Sequence, residues 1–189
     1  MKLLIGKIPE NKEFNPKAGG WTHLEEPKFL KIQIYGFLMF VFILVFLDGL
    51  TVGSFGLNID KIGLGYFILL VIATVAIHEF IHAVAYGKEH RGNVVFGIIP
   101  KMFCCYAYSD LITTKKRFMF VISAPFTFLT ILPIAVTLLT GVHSTILISL
   151  SVTNGYLSSG DLFTFFFMGL NIPTNAFVKS NGWKTYWRA

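Results

Sequence analysis

The stretch His78-Glu79-Phe80-Ile81-His82 lies inside an apolar run, residues 62–86, that is long enough to cross a lipid bilayer. Because positions i and i+4 share one face of a helix, both imidazoles can point toward a single metal ion. Glu79 is then placed to take a proton from a metal-bound water. Ionisable side chains within a membrane helix are costly and indicate function. The stretch therefore predicts a zinc hydrolase site built within a membrane.

The composition agrees with a membrane protein. Of the 189 residues, 54% are hydrophobic and only 14% are charged, whereas soluble domains carry about 25% charged residues. The net charge of +6 does not indicate nucleic-acid binding, because the Lys and Arg residues gather in separate loops rather than along one face. We expect the lipid bilayer as a partner and no nucleic acid.

Four apolar segments predict an all-α membrane protein with about four transmembrane helices. They are residues 29–47, 62–86, 118–139 and 145–170, the last interrupted by a polar stretch. Lys and Arg lie mainly before the first segment, after the second and at the C-terminus, which places both termini in the cytosol by the positive-inside pattern. We therefore expect a multi-pass protein of the cell membrane. Its parts would be a cytosolic N-terminal segment 1–28, a membrane-embedded metallopeptidase-like domain 29–175 and a cytosolic tail 176–189.

The loop between the second and third segments, residues 87–117, is too long for a structureless connection. Residues 93–99 and 102–108 are strand-like and are separated by Pro100-Lys101, which predicts a β-hairpin. Such a hairpin could hold an extended substrate by strand addition or could only plug the helix bundle. Cys104 and Cys105 lie in its second strand, where small apolar residues are the favoured interpretation and zinc ligands the alternative.

Asp161 is the favoured third metal ligand, since catalytic zinc takes three protein ligands and leaves one position open. It follows the polar stretch that breaks the fourth segment, at about the membrane depth of His78 and His82. The alternative is an aspartate that caps the following half-helix. Glu89 and Asp110 are weaker candidates, as solvated charges in the loop. Two further acidic residues, Asp48 and Asp60, are expected on the opposite side of the membrane.

Asn154 lies in the same broken segment, seven residues before Asp161. An amide at this point can hydrogen-bond the backbone of a substrate, which makes Asn154 a candidate substrate-binding residue. It can equally support a metal ligand from outside the coordination sphere, or simply mark the helix break. The sequence leaves these possibilities open.

These motifs together resemble a known family. The zinc motif at His78, the Ser123-Ala124-Pro125 break and the late Ser159-Gly160-Asp161 resemble the small bacterial zincin peptidases, which are similar in plan to the site-2 protease group of intramembrane metalloproteases. The resemblance covers roughly residues 65–175. It implies His78, His82 and Asp161 as ligands of a Zn²⁺ cofactor and Glu79 as catalytic base. For peptide hydrolysis at a site within the membrane, we expect a membrane-anchored or membrane-proximal polypeptide as substrate.

Two other classes of function compete with the peptidase. One is a carrier or channel in which the same His, Glu and Asp residues bind a transition metal or relay protons. The other is a non-catalytic, zinc-stabilised scaffold that binds partner helices. The cleavage site, the oligomeric state and the native metal are left open, since these ligand types also suit iron, cobalt and nickel.

Overall fold

The fold is seen in a computed structural model, which describes residues 2–50, 63–90, 92–102, 104–142 and 144–189, without the side chains of 46–50 and 102. Five positions within the predicted segments and sites lie outside the described residues, namely Met1, Asp60, Ile62, Arg91 and Phe103, as does the side chain of Asp48. The chain divides into two compact units. The first comprises Met1–Lys28, Glu79–Ile122 and Phe165–Ala189, and the second comprises Phe29–His78 and Ser123–Thr164.

Six α-helices are described, and they lie in or beside the predicted apolar segments. They are α1 (Phe29–Leu50), α2 (Leu64–Ala85), α3 (Lys115–Phe126), α4 (Leu132–Thr140), α5 (Thr145–Leu157) and α6 (Ser159–Asn171). A π-helix, Thr127–Ile131, joins α3 to α4. Among the described residues, α2 and the continuous stretch Lys115–Thr140 are long and apolar enough to cross a membrane, each with a mean hydropathy of 2.1. The interruption predicted in the fourth segment falls at Ser158, between α5 and α6.

The first unit contains a three-stranded sheet with the order β1-β3-β4, formed by β1 (Lys2–Ile5), β3 (Val95–Ile99) and β4 (Cys104–Tyr108). β1 pairs with β3 in parallel, and β3 pairs with β4 antiparallel as the predicted hairpin. Gly97 is required in β3 because the ring of Tyr106 on the paired strand occupies the space of a Cβ atom. β4 is an outer strand of this sheet.

A second sheet of the same unit has the order β2-β7-β6-β5, and its neighbouring strands are antiparallel. Its strands are β2 (Thr22–His23), β5 (Thr113–Thr114), β6 (Phe177–Asn181) and β7 (Lys184–Arg188). Gly182 turns the chain from β6 to β7 with a φ of 60°. The sheet packs on a core formed by Leu24, Phe118, Ile122, Met168, Ile172, Ala176 and Val178. Lys115 is buried and donates from Nζ to the carbonyls of Gly169 and Ile172, at the end of α6.

The second unit is built from helices. Phe40 of α1 packs against Ile134 of α4 and against Ile148 and Val152 of α5. Gly36 of α1 lies directly against the backbone of Ser159, so that a Cβ atom would collide with it. The α1 backbone is thereby brought close to the interruption between α5 and α6, which precedes Asp161.

The prediction of an all-α fold is wrong, because the part of the chain that the structure describes forms seven strands in two sheets, and the fold is 57% helical and 17% strand. The strands that were missed have two to five residues, and apart from the local β6–β7 pair they join partners remote in sequence, as Thr22 joins Trp187. Short strands carry little periodic signal when their partners are remote in sequence. The terminal segments 1–28 and 176–189 contribute strands to these sheets. Their location in the cytosol stays a prediction.

Candidate metal centre

His78, Glu79 and His82 lie on α2, an uninterrupted helix of 22 residues. The two histidines are one turn apart, so both rings lie on one face of the helix. Both are buried, with exposed fractions of 6% and 8%, whereas Phe80 between them is 55% exposed. The polar side chains of the motif are therefore turned away from the apolar outer face of α2.

The ring of His78 is held at both nitrogens. Its Nδ1 lies 2.9 Å from Oδ1 of Asn154, and its Nε2 lies 3.1 Å from Oδ2 of Asp161. The orientation of the Asn154 amide follows from Pro125, whose carbonyl can only accept and lies 3.0 Å from Nδ2. Oδ1 of Asn154 therefore accepts the Nδ1–H of His78, and in the neutral ring the lone pair of Nε2 faces the carboxylate of Asp161. Two acceptor atoms at this distance need a cation or a proton between them.

His82 has the same arrangement with a different partner. Its Nδ1 lies 2.8 Å from the carbonyl oxygen of Val121, to which it donates. Its Nε2 is then the lone-pair nitrogen of the neutral ring. Histidines that bind metals almost always donate their other ring N–H in this way. Both rings of the motif thus have the tautomer that a metal ligand requires.

His78, His82 and Asp161 form a group of potential metal donors, each offering one ligand atom. His78 links the group, because it shares a helix face with His82 and lies beside Asp161. Two imidazoles and one carboxylate are the donor set of many catalytic zinc sites, with one position left for water. The side chains present therefore fit zinc.

Asp161 lies in the first turn of α6, just after the break at Ser158. A carboxylate in a first turn is stabilised by the helix dipole, so the capping interpretation and the ligand interpretation are compatible. The weaker candidates are elsewhere in the described chain. Glu89 is exposed in the 3₁₀ turn Lys88–His90, and Asp110 follows β4; neither belongs to the donor group.

Glu79 lies within electrostatic range of Cys105 on β4. Burial raises the pKa of the Cys105 thiol, and the negative charge of Glu79 raises it further. A thiol with a raised pKa stays protonated at neutral pH when no metal is bound. Among the described donors, neither Cys104 nor Cys105 joins the metal group. The absence of both cysteines from the donor group favours their interpretation as strand residues.

Three supporting groups were missed from the sequence, namely the carbonyl of Val121, the hydroxyl of Thr130 and the hydroxyl of Ser158. Thr130 and Ser158 lie 3.0 Å and 3.3 Å from Nδ2 of Asn154. Val121 could have been found, because it lies four residues before Pro125 and proline removes the helical donor to that carbonyl. The two hydroxyls carried no comparable signal.

Comparison with known proteins agrees with this site. A family model described as "Putative zincin peptidase" matches residues 71–177, a range that includes the zinc motif, the hairpin, Asn154 and Asp161. The search of the curated proteins found no match, and the search of the solved structures found none. The family implies zinc as cofactor, in agreement with the donor set. Because the match spans more than half of its length, the chain belongs to this family of zincin peptidases, a family of metallopeptidases.

Proposed function

We propose that this protein is a membrane-embedded zinc metallopeptidase that cleaves membrane-anchored or membrane-proximal polypeptides. The single observation that carries the proposal is the pair of Nδ1–H hydrogen bonds, from His78 to Asn154 and from His82 to Val121. These bonds leave an Nε2 lone pair on each ring. If the two buried histidines only filled space in a helix bundle, they would not both need the Nδ1–H tautomer on the same helix face.

Zinc would be held by His78, His82 and Asp161, and it would supply Lewis acidity toward water and toward a peptide carbonyl. Glu79 follows the first ligand directly and is half-buried on α2. We assign it the proton transfers, in which it takes a proton from the attacking water and returns one to the leaving amine. Asn154 has its carbonyl and its amide engaged within the protein, which favours a role in orienting His78. Direct binding of substrate by Asn154 stays a prediction.

The membrane part of the proposal rests on the helices. Leu64, Tyr66, Leu69 and Ile72 of α2 are each more than 60% exposed, as are several apolar residues of α1. Apolar side chains exposed along a helix of membrane-spanning length are favourable in lipid and unfavourable in water. We propose a multi-pass arrangement in the cell membrane with both termini in the cytosol, as the distribution of Lys and Arg indicates.

A peptidase must bind its substrate in an extended form. β4 is an outer strand of its sheet among the described strands, and Cys105 on this strand lies within electrostatic range of Glu79. A peptide added to β4 by backbone hydrogen bonds would pass beside the catalytic glutamate. We propose this strand as the substrate-binding edge, which favours unwound segments of membrane polypeptides over intact helices.

The proposal is tested by the metal content and the peptidase activity of the detergent-purified chain. We expect about one zinc per chain, lost in His78→Ala and Asp161→Ala and retained in Glu79→Gln, as the ligand and base roles require. Asp110→Ala is the matched control, since this carboxylate lies outside the donor group. Hydrolysis of a quenched fluorescent peptide library should disappear in Glu79→Gln and persist in Asp110→Ala.

Two outcomes would contradict the proposal. If the folded wild-type chain binds no metal, the metallopeptidase function is excluded. His78, His82 and Asp161 would then be a structural cluster of hydrogen-bonded side chains. Bound metal with no hydrolysis, together with metal flux into liposomes that survives Glu79→Gln, would establish the carrier instead.

A further inference from the structure

Pro125 lies inside α3 and in the middle of the helical stretch Lys115–Thr140. Proline has no N–H, so the carbonyl of the residue four positions earlier loses its helical donor. That residue is Val121, which is only 2% exposed. A buried carbonyl without a donor is costly in a membrane helix, so the fold must provide another partner.

His82 provides that partner. Its Nδ1 lies 2.8 Å from the Val121 oxygen, the very acceptor that Pro125 leaves free in the helix. A carbonyl fixed at this position selects the Nδ1–H tautomer of His82, because the oxygen can only accept. The lone pair of His82 is thereby assigned to Nε2.

The carbonyl of Pro125 itself acts on His78 through Asn154. It accepts one hydrogen of the Asn154 amide at 3.0 Å, and Thr130 accepts at 3.0 Å from the same nitrogen. The hydroxyl hydrogen of Thr130 is donated to the carbonyl of Ser151 at 3.1 Å, so the Thr130 oxygen is left to accept. Both contacts require Nδ2 on their side of the amide, which directs Oδ1 toward the Nδ1–H of His78.

We propose that Pro125 is a positioning residue that sets the ligand tautomer of both histidines: its missing N–H frees an acceptor for His82, and its carbonyl orients Asn154 for His78. The assignment of the two Nε2 atoms to zinc rests on the proposed function. The selection of the tautomers does not, since it is a property of the protein without metal.

Pro125→Ala tests the proposal because alanine restores an N–H that competes with His82 for the Val121 carbonyl. We expect the dissociation constant for zinc, measured by chelator competition, to rise at least about tenfold, as for other partners of metal-binding histidines. The thermal midpoint should not fall, because alanine suits a helix better than proline does. Pro133→Ala is the matched control. It removes a second proline of the same stretch, whereas the Nδ1 atoms of His78 and His82 bond to Asn154 and Val121.

The readout that needs no metal is the ring ¹⁵N spectrum of the histidines in the metal-free chain, with signals assigned by His78→Gln and His82→Gln. Recorded at a pH at which the rings are neutral, both wild-type rings should be Nδ1–H tautomers, and Pro125→Ala should shift His82 toward a mixture. Thr130→Val provides a second variant, which should disturb His78 and leave His82 unchanged. Its control is Thr137→Val, which removes an equally buried hydroxyl that is bonded to the carbonyl of Pro133.

The outcomes separate this inference from the proposed function. If Pro125→Ala changes neither the zinc affinity nor the tautomer of His82, or if Pro133→Ala lowers the affinity equally, the inference is overturned. If the wild type binds no zinc and the tautomers still respond to Pro125→Ala and Thr130→Val, the inference stands and the peptidase does not. Should Pro125→Ala fail to fold, a wild-type spectrum in which either neutral ring carries its hydrogen on Nε2 overturns the inference by itself.

Discussion

The Oδ1 atom of Asn154 accepts a hydrogen bond from Nδ1 of His78 over 2.9 Å, and the two residues are 76 positions apart in the chain. Asn154 is fully buried. Its amide therefore has no water to replace the contacts that it makes, and the orientation of the His78 ring depends on it.

Asn154→Leu keeps the approximate volume of the side chain and removes the acceptor. We expect zinc affinity to fall about 10- to 100-fold, because the His78 ring loses the group that fixes its tautomer. The measurement is a competition titration with a chromophoric chelator. Asn171→Leu is the control, since Asn171 is exposed and its amide donates to the carbonyl of Phe167 within α6. Equal affinities for the two variants would refute a role for Asn154 in the metal centre.

The thiol of Cys105 reports on the charge of Glu79. The pKa of this thiol is raised by burial and by Glu79, so Glu79→Gln should lower it and increase the thiolate fraction at neutral pH. We expect faster alkylation of Cys105 by iodoacetamide, measured by mass spectrometry of the metal-free chain in a Cys104→Ser background. Glu89→Gln serves as the control, because this carboxylate is not among the causes of the shift. No acceleration in Glu79→Gln would place the glutamate away from the hairpin.

Tyr108 should make the stability of the fold depend on alkaline pH. Burial is the main cause that raises its pKa to about 12 from an ordinary value of 10.0. Above pH 10 the phenol ionises in the unfolded chain and stays protonated in the folded one, so the free energy of unfolding falls as pH rises from about 10 to 12. Unfolding followed by circular dichroism at several pH values measures this fall.

Tyr108→Phe supplies the comparison for that measurement. The variant should lose the part of the alkaline dependence that Tyr108 contributes. At neutral pH it should be less stable by about 1 kcal/mol, since the hydroxyl donates to the carbonyl of Ser180 at 3.1 Å. A variant with the full alkaline slope would contradict the assignment.

Gly36→Ala should damage the metal centre from a distance. The added Cβ would overlap the backbone of Ser159, two residues before Asp161, and backbone cannot yield as a flexible side chain can. We expect the free energy of unfolding to fall by roughly 1–3 kcal/mol and the affinity for zinc to decrease. Gly65→Ala in α2 is the matched control, because its Cβ would meet no atom within 4 Å. The thermal midpoint and the zinc content of both variants decide the matter, and identical values for the two would rule out close packing at Gly36.

The sequence determined the local part of the site. The spacing of His78 and His82 places both rings on one helix face, and Glu79 follows from the same motif, because helical periodicity depends on neighbours in the chain alone. Apolar segments fixed the approximate positions of the helices for the same reason, and alternation in residues 93–108 was enough to predict the β3–β4 hairpin. Asp161 was favoured because its position in the fourth segment matches the predicted membrane depth of the two histidines. Of the three predicted ligands it is the one most remote in sequence from the others.

Only the tertiary structure decided what surrounds these residues. The contact between His78 and Asp161, the amide of Asn154 and the carbonyl of Val121 all join groups that lie between 39 and 83 positions apart. The same holds for β1 beside β3 and for β2 beside β7, which overturned the all-α prediction. Pairings of this kind depend on which surfaces meet when the chain packs. No local pattern specifies them. Every residue carries a carbonyl oxygen, so the sequence indicates a carbonyl that lacks its helical donor only where a proline follows four positions later.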